Sequence, residues 1–357
     1  MQLFKWFFVP VFVLSFLFGP VAPALAQDTS EVQATVESAQ NVLQPDGTNH
    51  FIISAKGDDG KSYTLDTFES HSSGVGYAIN HGDRILVQNI TYPDGTSKSF
   101  FGDVWRTQGL WLIAFLFVVV AIGVGRKRGL FALLGLLLTL GILFRFVYPQ
   151  ILDGTDPTLV AAAGCLAILA VNMFLSHGAN RRTALAFLAT AIGLVLAVLF
   201  GHWFVALVKL SGTATEEEML LISATGFQLL PHGILLAGVI LGATGVLDDI
   251  AITQTETVAE LTEANPQLSR KELFTRAMRI GRHHIASTVN TLVLAYAGAA
   301  TPLLLLVMFY QNEISFARFL NSEPIVEEIV QTAAGTIALM LTVPIATWIA
   351  TYGAKRK

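Results

Sequence analysis

Charged residues are scarce in this chain of 357 residues, making up 13% of it against 53% hydrophobic residues. A soluble domain typically carries about 25% charged residues, so the composition favours a protein that lies in a lipid bilayer. The formal net charge of -4 is small, and the basic residues are scattered along the chain. Neither feature indicates a nucleic-acid partner, and none is expected.

Cysteine and catalytic motifs are also lacking. The single cysteine, Cys165, lies in an apolar run and is predicted to be a small buried side chain rather than a reactive thiol. The chain contains no phosphate-binding loop, no G-x-S-x-G elbow and no H-E-x-x-H motif. We therefore expect no enzymatic activity, no metal and no cofactor.

The first 26 residues have the organisation of a signal peptide. Lys5 precedes an apolar run over residues 7–18, and Ala24 and Ala26 are the small residues that a signal peptidase accepts. The run is shorter than the roughly 20 residues of a comfortable span. Cleavage after Ala26 is predicted, with an uncleaved signal anchor as the alternative; either places the following domain outside the cytoplasm.

Residues 27–107 are polar and rich in glycine and aspartate, and are predicted to form a small extracytoplasmic β domain. Short β-type stretches at 32–36, 51–55, 62–65 and 84–90 are separated by turn sequences at 56–60 and 93–95. About five short strands suggest a small barrel or sandwich, including an OB-like barrel. No catalytic constellation is visible in this domain.

Seven apolar runs predict an all-α membrane domain over 108–357, because each has about the length that a spanning helix needs. The predicted spans lie at 108–125, 129–148, 158–177, 183–208, 230–250, 284–309 and 332–352. The apolar stretch around Pro231 starts earlier, at Met219. Its first part is interpreted as an interfacial extension rather than an eighth crossing.

The distribution of lysine and arginine predicts the orientation. Basic loops lie on the cytoplasmic side of bacterial membranes. With the N-terminal domain outside, seven crossings place the C-terminus in the cytoplasm and most basic loop residues with it, whereas an eighth crossing would break this pattern. The predicted inner residues are Arg126, Lys127, Arg128, Arg181, Arg182, Arg270, Lys271, Arg276, Arg279, Arg282, Lys355, Arg356 and Lys357.

Acidic residues mark the inner end of the fifth predicted span. Asp248 and Asp249 stand there, and Glu256 shares a helix face with Asp249. One interpretation is a helix that leaves the membrane with a solvated acidic face. The other is an aspartate that lines a polar cavity as a proton or cation site, because ionisable residues at membrane depth are costly and usually functional.

The sixth predicted span supplies the counterpart. His284, Asn290 and Thr291 belong to a polar stripe in an otherwise apolar helix, and any of the three could face Asp248 or Asp249. Alternatively, the hydroxyls bond their own helix, and Asn290 bonds a neighbouring helix as a structural contact. Zinc is not expected at His283 and His284, because adjacent helical side chains point about 100° apart.

Three segments resemble the YibE/F family of bacterial multi-pass membrane proteins. They are Gly242-Ala243-Thr244-Gly245-Val246-Leu247-Asp248-Asp249-Ile250-Ala251, Ala277-Met278-Arg279-Ile280-Gly281-Arg282-His283-His284-Ile285, and Thr288-Val289-Asn290-Thr291-Leu292-Val293-Leu294-Ala295-Tyr296-Ala297-Gly298. In the β domain, Gly82-Asp83-Arg84-Ile85-Leu86-Val87 is similar to the family's G-D-x-V-x-V strand. The resemblance implies a location in the bacterial cytoplasmic membrane and an architecture, and leaves the biochemical activity unassigned.

A looser, fold-level likeness links the acidic helix end, the cytoplasmic connection and the Thr/Asn helix to SecD/SecF and RND membrane halves. We expect a secondary transporter or permease that handles protons or a small solute, with Asp248, Asp249 and Asn290 leading the candidate contacts, followed by Thr291, Glu256 and His284. The alternative is a non-transporting assembly or sensing protein that acts through its extracytoplasmic domain. The bilayer is the one certain partner, and the oligomeric state stays open.

Removal of the signal peptide gives the first testable prediction. Because small residues precede the predicted cleavage site, N-terminal sequencing of the purified protein is expected to start at Gln27. A sequence that starts at Met1 would instead establish the uncleaved anchor.

Overall fold

The computed structural model describes residues 29–43, 49–66, 79–92, 96–226, 229–310 and 315–353. The predicted signal peptide and its cleavage site lie outside these residues, as do the turn at 93–95 and the basic residues 355–357. The described chain falls into two compact units, which meet in sequence between Gly125 and Arg126.

The N-terminal unit contains a five-stranded antiparallel sheet. The strands are β1 (Thr29–Leu43), β2 (Asn49–Gly57), β3 (Ser62–Asp66), β4 (Arg84–Thr91) and β5 (Ser97–Val104), in the order β3-β2-β1-β4-β5. The long first strand pairs with β4 along its first half and with β2 along its second. Its register shifts between Val36 and Ser38. Because a bulge bends a strand and increases its twist, β1 serves both halves of a curved, half-barrel sheet.

Alternation of apolar and polar residues builds the core of this sheet. Val36, Ile53, Leu65, Ile85 and Val87 are completely buried, and the residues between them on their strands are more exposed. All four predicted β stretches fall within strands, which confirms the small β domain. The periodicity of two places one set of side chains inside the curved sheet.

Two glycines shape the turns because their backbones have φ values that other residues rarely adopt. Gly60 has φ 82° and Gly82 has φ 90°. Gly82 N donates to Val36 O and Val36 N donates to Asp83 O, both at 2.9 Å. These bonds join the residues that precede β4 to the bulge of β1. The Gly82-Asp83-Arg84 segment therefore holds β4 against β1.

Polar side chains fasten the β2–β3 turn to the sheet. Arg84 donates to both carboxylate oxygens of Asp58, at 3.0 and 2.6 Å. The Tyr63 hydroxyl donates to Asp59 Oδ2 at 2.7 Å and holds the pKa of that carboxyl below its usual range. A fork-to-carboxylate pair adds geometric definition, so the turn is fixed in position.

Helices make up the rest of the described chain. They are α1 (Thr107–Leu152), α2 (Pro157–His177), α3 (Arg181–Val208), α4 (Glu216–Ala224), α5 (Pro231–Ala264), α6 (Arg270–Ala299), α7 (Thr301–Phe309), α8 (Phe316–Leu320) and α9 (Glu323–Gly353). Side-chain caps start several of them: Asp156 accepts from two backbone amides of α2, and Ser269 forms a capping box with Glu272.

Within the described residues, five helices are long and apolar enough to cross a membrane: α1, α2, α3, α5 and α9. A sixth candidate is the pair α6 and α7, which is bent by 64° at its break. Many outward side chains on these helices are apolar and exposed, such as Trp111, Leu199 and Trp348. In water such faces would be unstable, so the chain is a multi-pass membrane protein.

The predicted count of seven spans is not confirmed. The first two predicted spans both lie within α1, which consists of two helices that meet at a kink at Arg126, where φ is 51° and ψ is -130°. The three basic residues therefore form a break at Arg126 rather than an open loop, and the chain is helical again directly after it.

Helix α5 lies at the centre of the second unit and packs against α2, α3, α6 and α9. Its core positions include Ile240, Leu247 and Ile250, all buried. It is also longer than the predicted span, continuing to Ala264. The polar residues beyond Ile250 therefore extend this helix rather than forming a loop.

Gly238, Gly242 and Gly245 are spaced by four and three residues on α5, a spacing that favours close helix packing, but only part of this face is packed. A Cβ on Gly242 would lie 2.5 Å from the Tyr296 hydroxyl of α6, whereas nothing lies within 4 Å of a Cβ on Gly238 or Gly245. The close approach that the spacing predicts thus occurs at one of the three glycines. Gly281 of α6, which the spacing did not mark, is a second position of close approach.

Substitution of these glycines tests the packing. A Cβ on Gly281 would lie 2.7 Å from Val343 Cγ1 and 2.9 Å from Gln254 Nε2. We expect Gly281→Ala to lower the stability of the purified protein by about 1–3 kcal/mol, as overpacking does. Gly245→Ala is the matched control and should be neutral or stabilising by up to about 1 kcal/mol. Thermal unfolding in detergent measures both, and equal melting temperatures would contradict the packing described.

Candidate functional site

Two adjacent aspartates of α5 point toward different neighbours. Successive residues of a helix are rotated by about 100°, so Asp248 and Asp249 cannot share one partner. Asp248 is half-buried and is influenced electrostatically by His177, the last residue of α2. Asp249 Oδ2 lies 3.8 Å from His284 Nε2 of α6. Each aspartate thus has a histidine of a different helix as its neighbour.

The Asp249–His284 pair has the geometry of a weak ion pair that depends on protonation. The Asp249 side chain is 75% exposed and that of His284 is 27% exposed. Imidazole is positively charged only when it is protonated, and histidine is the side chain that changes charge most readily near neutrality. Attraction between α5 and α6 at this point therefore changes with the charge of His284.

The structure separates the other two α6 candidates from this pair. Thr291 lies two turns from His284 on the same side of α6, is exposed, and donates its hydroxyl hydrogen to Ser287 O at 3.0 Å. Asn290 is also exposed. It follows the buried Gly281 by nine residues, which places it on the side of α6 opposite to Gly281. Of the three α6 candidates, only His284 contacts an aspartate.

Glu256 of α5 belongs to a different group, in which it pairs with Arg182 at the start of α3. Arg182 Nη1 lies 3.4 Å from Glu256 Oε2, and Arg182 Nη2 contacts Glu263 more closely. These residues are partly exposed, and Arg182 and Glu263 also line an open cavity of about 310 Å³ with Thr255 and Arg181. Glu256 thus lies in an ion pair that joins α3 to α5.

A buried polar contact next to the aspartates was missed by the sequence reasoning. Gln254 is 1% exposed, and its Oε1 accepts a hydrogen bond from Thr347 Oγ1 of α9 at 2.9 Å. The backbone of Gly281 approaches the same amide. Gln254 follows Leu247 and Ile250 by seven and four residues, so the buried face of α5, extended past the predicted span, would have located it.

A second missed group lies at the other end of the bundle. Glu323 accepts a hydrogen bond from the backbone N–H of Ser211, and Glu327, one turn later on α9, is only 7% exposed. Gln331 follows and donates to Gly238 O of α5 at 3.4 Å. Glu323 and Glu327 fall between the sixth and seventh predicted spans, where the sequence predicts a connection between helices. The structure instead places them in the first turns of a long helix.

The α6–α7 break lies near the same end of the bundle, because Tyr296, one turn before it, interacts with Glu328 and Gln331 of α9. The backbone leaves the helix at Ala300, and Thr301 and Pro302 start α7 in a new direction. Proline at the start of a helix is compatible with a break because it has no N–H to donate. Broken helices in membrane proteins are tolerated where the freed backbone lines a cavity or is covered by protein.

The described residues contain no group of three or more His, Cys, Asp or Glu side chains that could hold a metal ion. Cys165 is free and buried, as the sequence analysis predicts. The ionisable groups that the structure brings together between α5 and α6 are the carboxylate of Asp249 and the imidazole of His284.

Comparison with models of known protein families gives a match. The profile of a protein family described as YibE/F-like protein matches residues 113–356, well over half of the chain. The matched range covers the helical unit with both groups of acidic residues. No curated protein and no solved structure matches the chain.

Proposed function

The chain belongs to the YibE/F-like family, and from that premise we propose that it is a secondary transporter or permease of the bacterial cytoplasmic membrane. The observation that carries the proposal is the Asp249–His284 pair, which joins two long helices through two ionisable side chains. Ionisable residues in membrane helices mark ion and substrate pathways. The bent α6–α7 pair supports it further, because discontinuous helices form many transporter sites.

We propose seven crossings. At about 1.5 Å per residue, the 46 residues of α1 would extend about 69 Å, more than twice the thickness of a hydrocarbon core of about 30 Å. Two crossings that meet at Arg126 remove this mismatch, and α6 with α7 supplies one bent crossing. The basic residues 126–128 then lie in the cytoplasm and the β domain lies outside, as the lysine and arginine bias favours.

The coupling site in this proposal is the α5–α6 seam, defined as Gly238, Gly242, Gly245 and Asp249 of α5 with His284, Thr288 and Thr291 of α6. Gly238 and Gly245 have open space beside them, and Asp249 and Thr291 are exposed. A proton on His284 strengthens its attraction to Asp249, and its loss weakens that attraction. Protons or a small solute are the proposed cargo, and no catalytic step is required.

One feature supports the alternative of a non-transporting assembly or sensing protein. Residues of β2, β3 and β5 line an open groove of about 340 Å³, among them Tyr63, Asp66 and Lys98. The five-stranded order, with β1 shared by both halves, agrees with an OB-like barrel. A partner that binds outside the cytoplasm would use this groove, and the helices would then act as an anchor.

Proteoliposomes distinguish the two functions. The protein is reconstituted with a pH-sensitive dye inside, and a panel of small cations and anions is added outside. We expect at least one solute to change the internal pH, and Asp249→Asn and His284→Gln to reduce that rate at least tenfold. Each substitution removes one partner of the pair while keeping its size.

Glu260→Gln is the matched control, because Glu260 is an exposed carboxylate on the same helix. It should transport like the unmodified protein. Normal flux in both pair variants would refute the coupling site. Loss of function in cells on deletion of residues 27–105, with normal function of the pair variants, would favour the assembly or sensing protein.

A further inference from the structure

Glu327 of α9 is a buried acid that the proposed coupling site does not use. Its residue is 7% exposed, and its Oε1 atom is buried without a hydrogen-bond partner in the described part of the chain. A buried charge normally has a partner or a metal. Glu327 therefore needs another way to be neutral.

The groups around Glu327 also favour the neutral form of its carboxyl. The side chains that act on its charge are Glu218 of α4, Glu323 one turn earlier on α9, and the adjacent Glu328, all of them carboxylates. His232 of α5 acts on Glu323, and no cation is among the groups acting on Glu327. Several ionised carboxylates in one partly buried place repel one another.

We propose that Glu327 is a proton-binding site at the outer end of the helical bundle, where it holds the proton as a neutral carboxylic acid. Release breaks the carboxyl O–H bond and passes the proton to water, leaving the carboxylate. A metal ion is the less favoured occupant, since no set of three ligands suitable for a metal lies in the described residues.

The position suggests how the proton could take part in transport. Glu327 lies between Glu323, which bonds the backbone N–H of Ser211 after α3, and Gln331, which bonds α5. Ionisation of Glu327 would repel Glu323 and Glu218 and loosen this end of the bundle. This role in a cycle rests on the proposed function, whereas the binding of the proton does not.

Infrared difference spectroscopy of the purified full chain tests the site. As the buffer is changed from alkaline to acid at constant salt, the C=O stretch of a protonated carboxyl should appear, and Glu327→Gln should lose most of one component of this band. Glu328→Gln, the adjacent and less buried acid, should keep that component. Identical spectra for the unmodified protein and Glu327→Gln would overturn the proposal.

The salt dependence separates a proton from a metal cation. If Na⁺ or K⁺ at constant pH removes the Glu327 component at low concentration, the site binds that cation and the proposal is wrong. If Glu327→Gln does not fold, the unmodified protein is treated with dicyclohexylcarbodiimide, which adds to protonated carboxyl groups. Mass spectrometry should find the adduct on Glu327 more than on Glu328, and equal or absent modification would overturn the assignment.

A proton bound at Glu327 without solute-driven flux would leave this inference standing and the transporter proposal wrong. Solute-driven flux in a protein that lacks the Glu327 infrared component would leave the transporter proposal standing and make this inference wrong. The two experiments therefore fail independently.

Discussion

A lipid bilayer offers no hydrogen-bond partner to a polar group, and the rest of this structure depends on that constraint. It requires long helices whose backbone bonds are internal, and five such helices are present among the described residues. It also makes polar side chains within those helices costly unless they have partners. Thr190, Thr244 and Thr342 meet the requirement by donating to carbonyls of their own helices.

Polar side chains that contact a neighbouring helix instead of their own backbone therefore indicate which helices pack together. Asp249 reaches α6 through His284, Gln254 reaches α9 through Thr347, and Gln331 reaches α5 through a backbone carbonyl. All three contacts involve α5, the central helix. Each of these contacts therefore joins α5 to α6 or α9.

Much of the architecture could be predicted from the sequence. Apolar length located the helices, and alternation located four of the strands, because both patterns follow from local geometry and burial. The helix count was harder, because the three basic residues between the first two apolar runs form no separate loop, and the two helices meet at a kink at Arg126. The family followed from specific residues, and the profile match confirms it.

The site was predicted less well, since a side chain's partner depends on which helices pack together. Asp249 and His284 were candidates and do meet, whereas Asn290 and Thr291 share the polar stripe but are exposed. Gln254 and Glu327 were missed because helices α5 and α9 continue past their apolar runs. A polar residue just beyond an apolar run looks like a loop in sequence, and burial there is decided by neighbouring helices.

In the proposed orientation, one bundle carries a histidine–aspartate pair at its cytoplasmic end and a buried glutamate at its outer end. Single cysteines at Lys127, Thr155 and Gln267, all exposed, test it in a Cys165→Ala background with a membrane-impermeant maleimide. The account predicts that intact cells label Thr155→Cys only, and that inverted membranes label Lys127→Cys and Gln267→Cys. Labelling of Gln267→Cys in intact cells would place the α5–α6 connection outside and contradict the account.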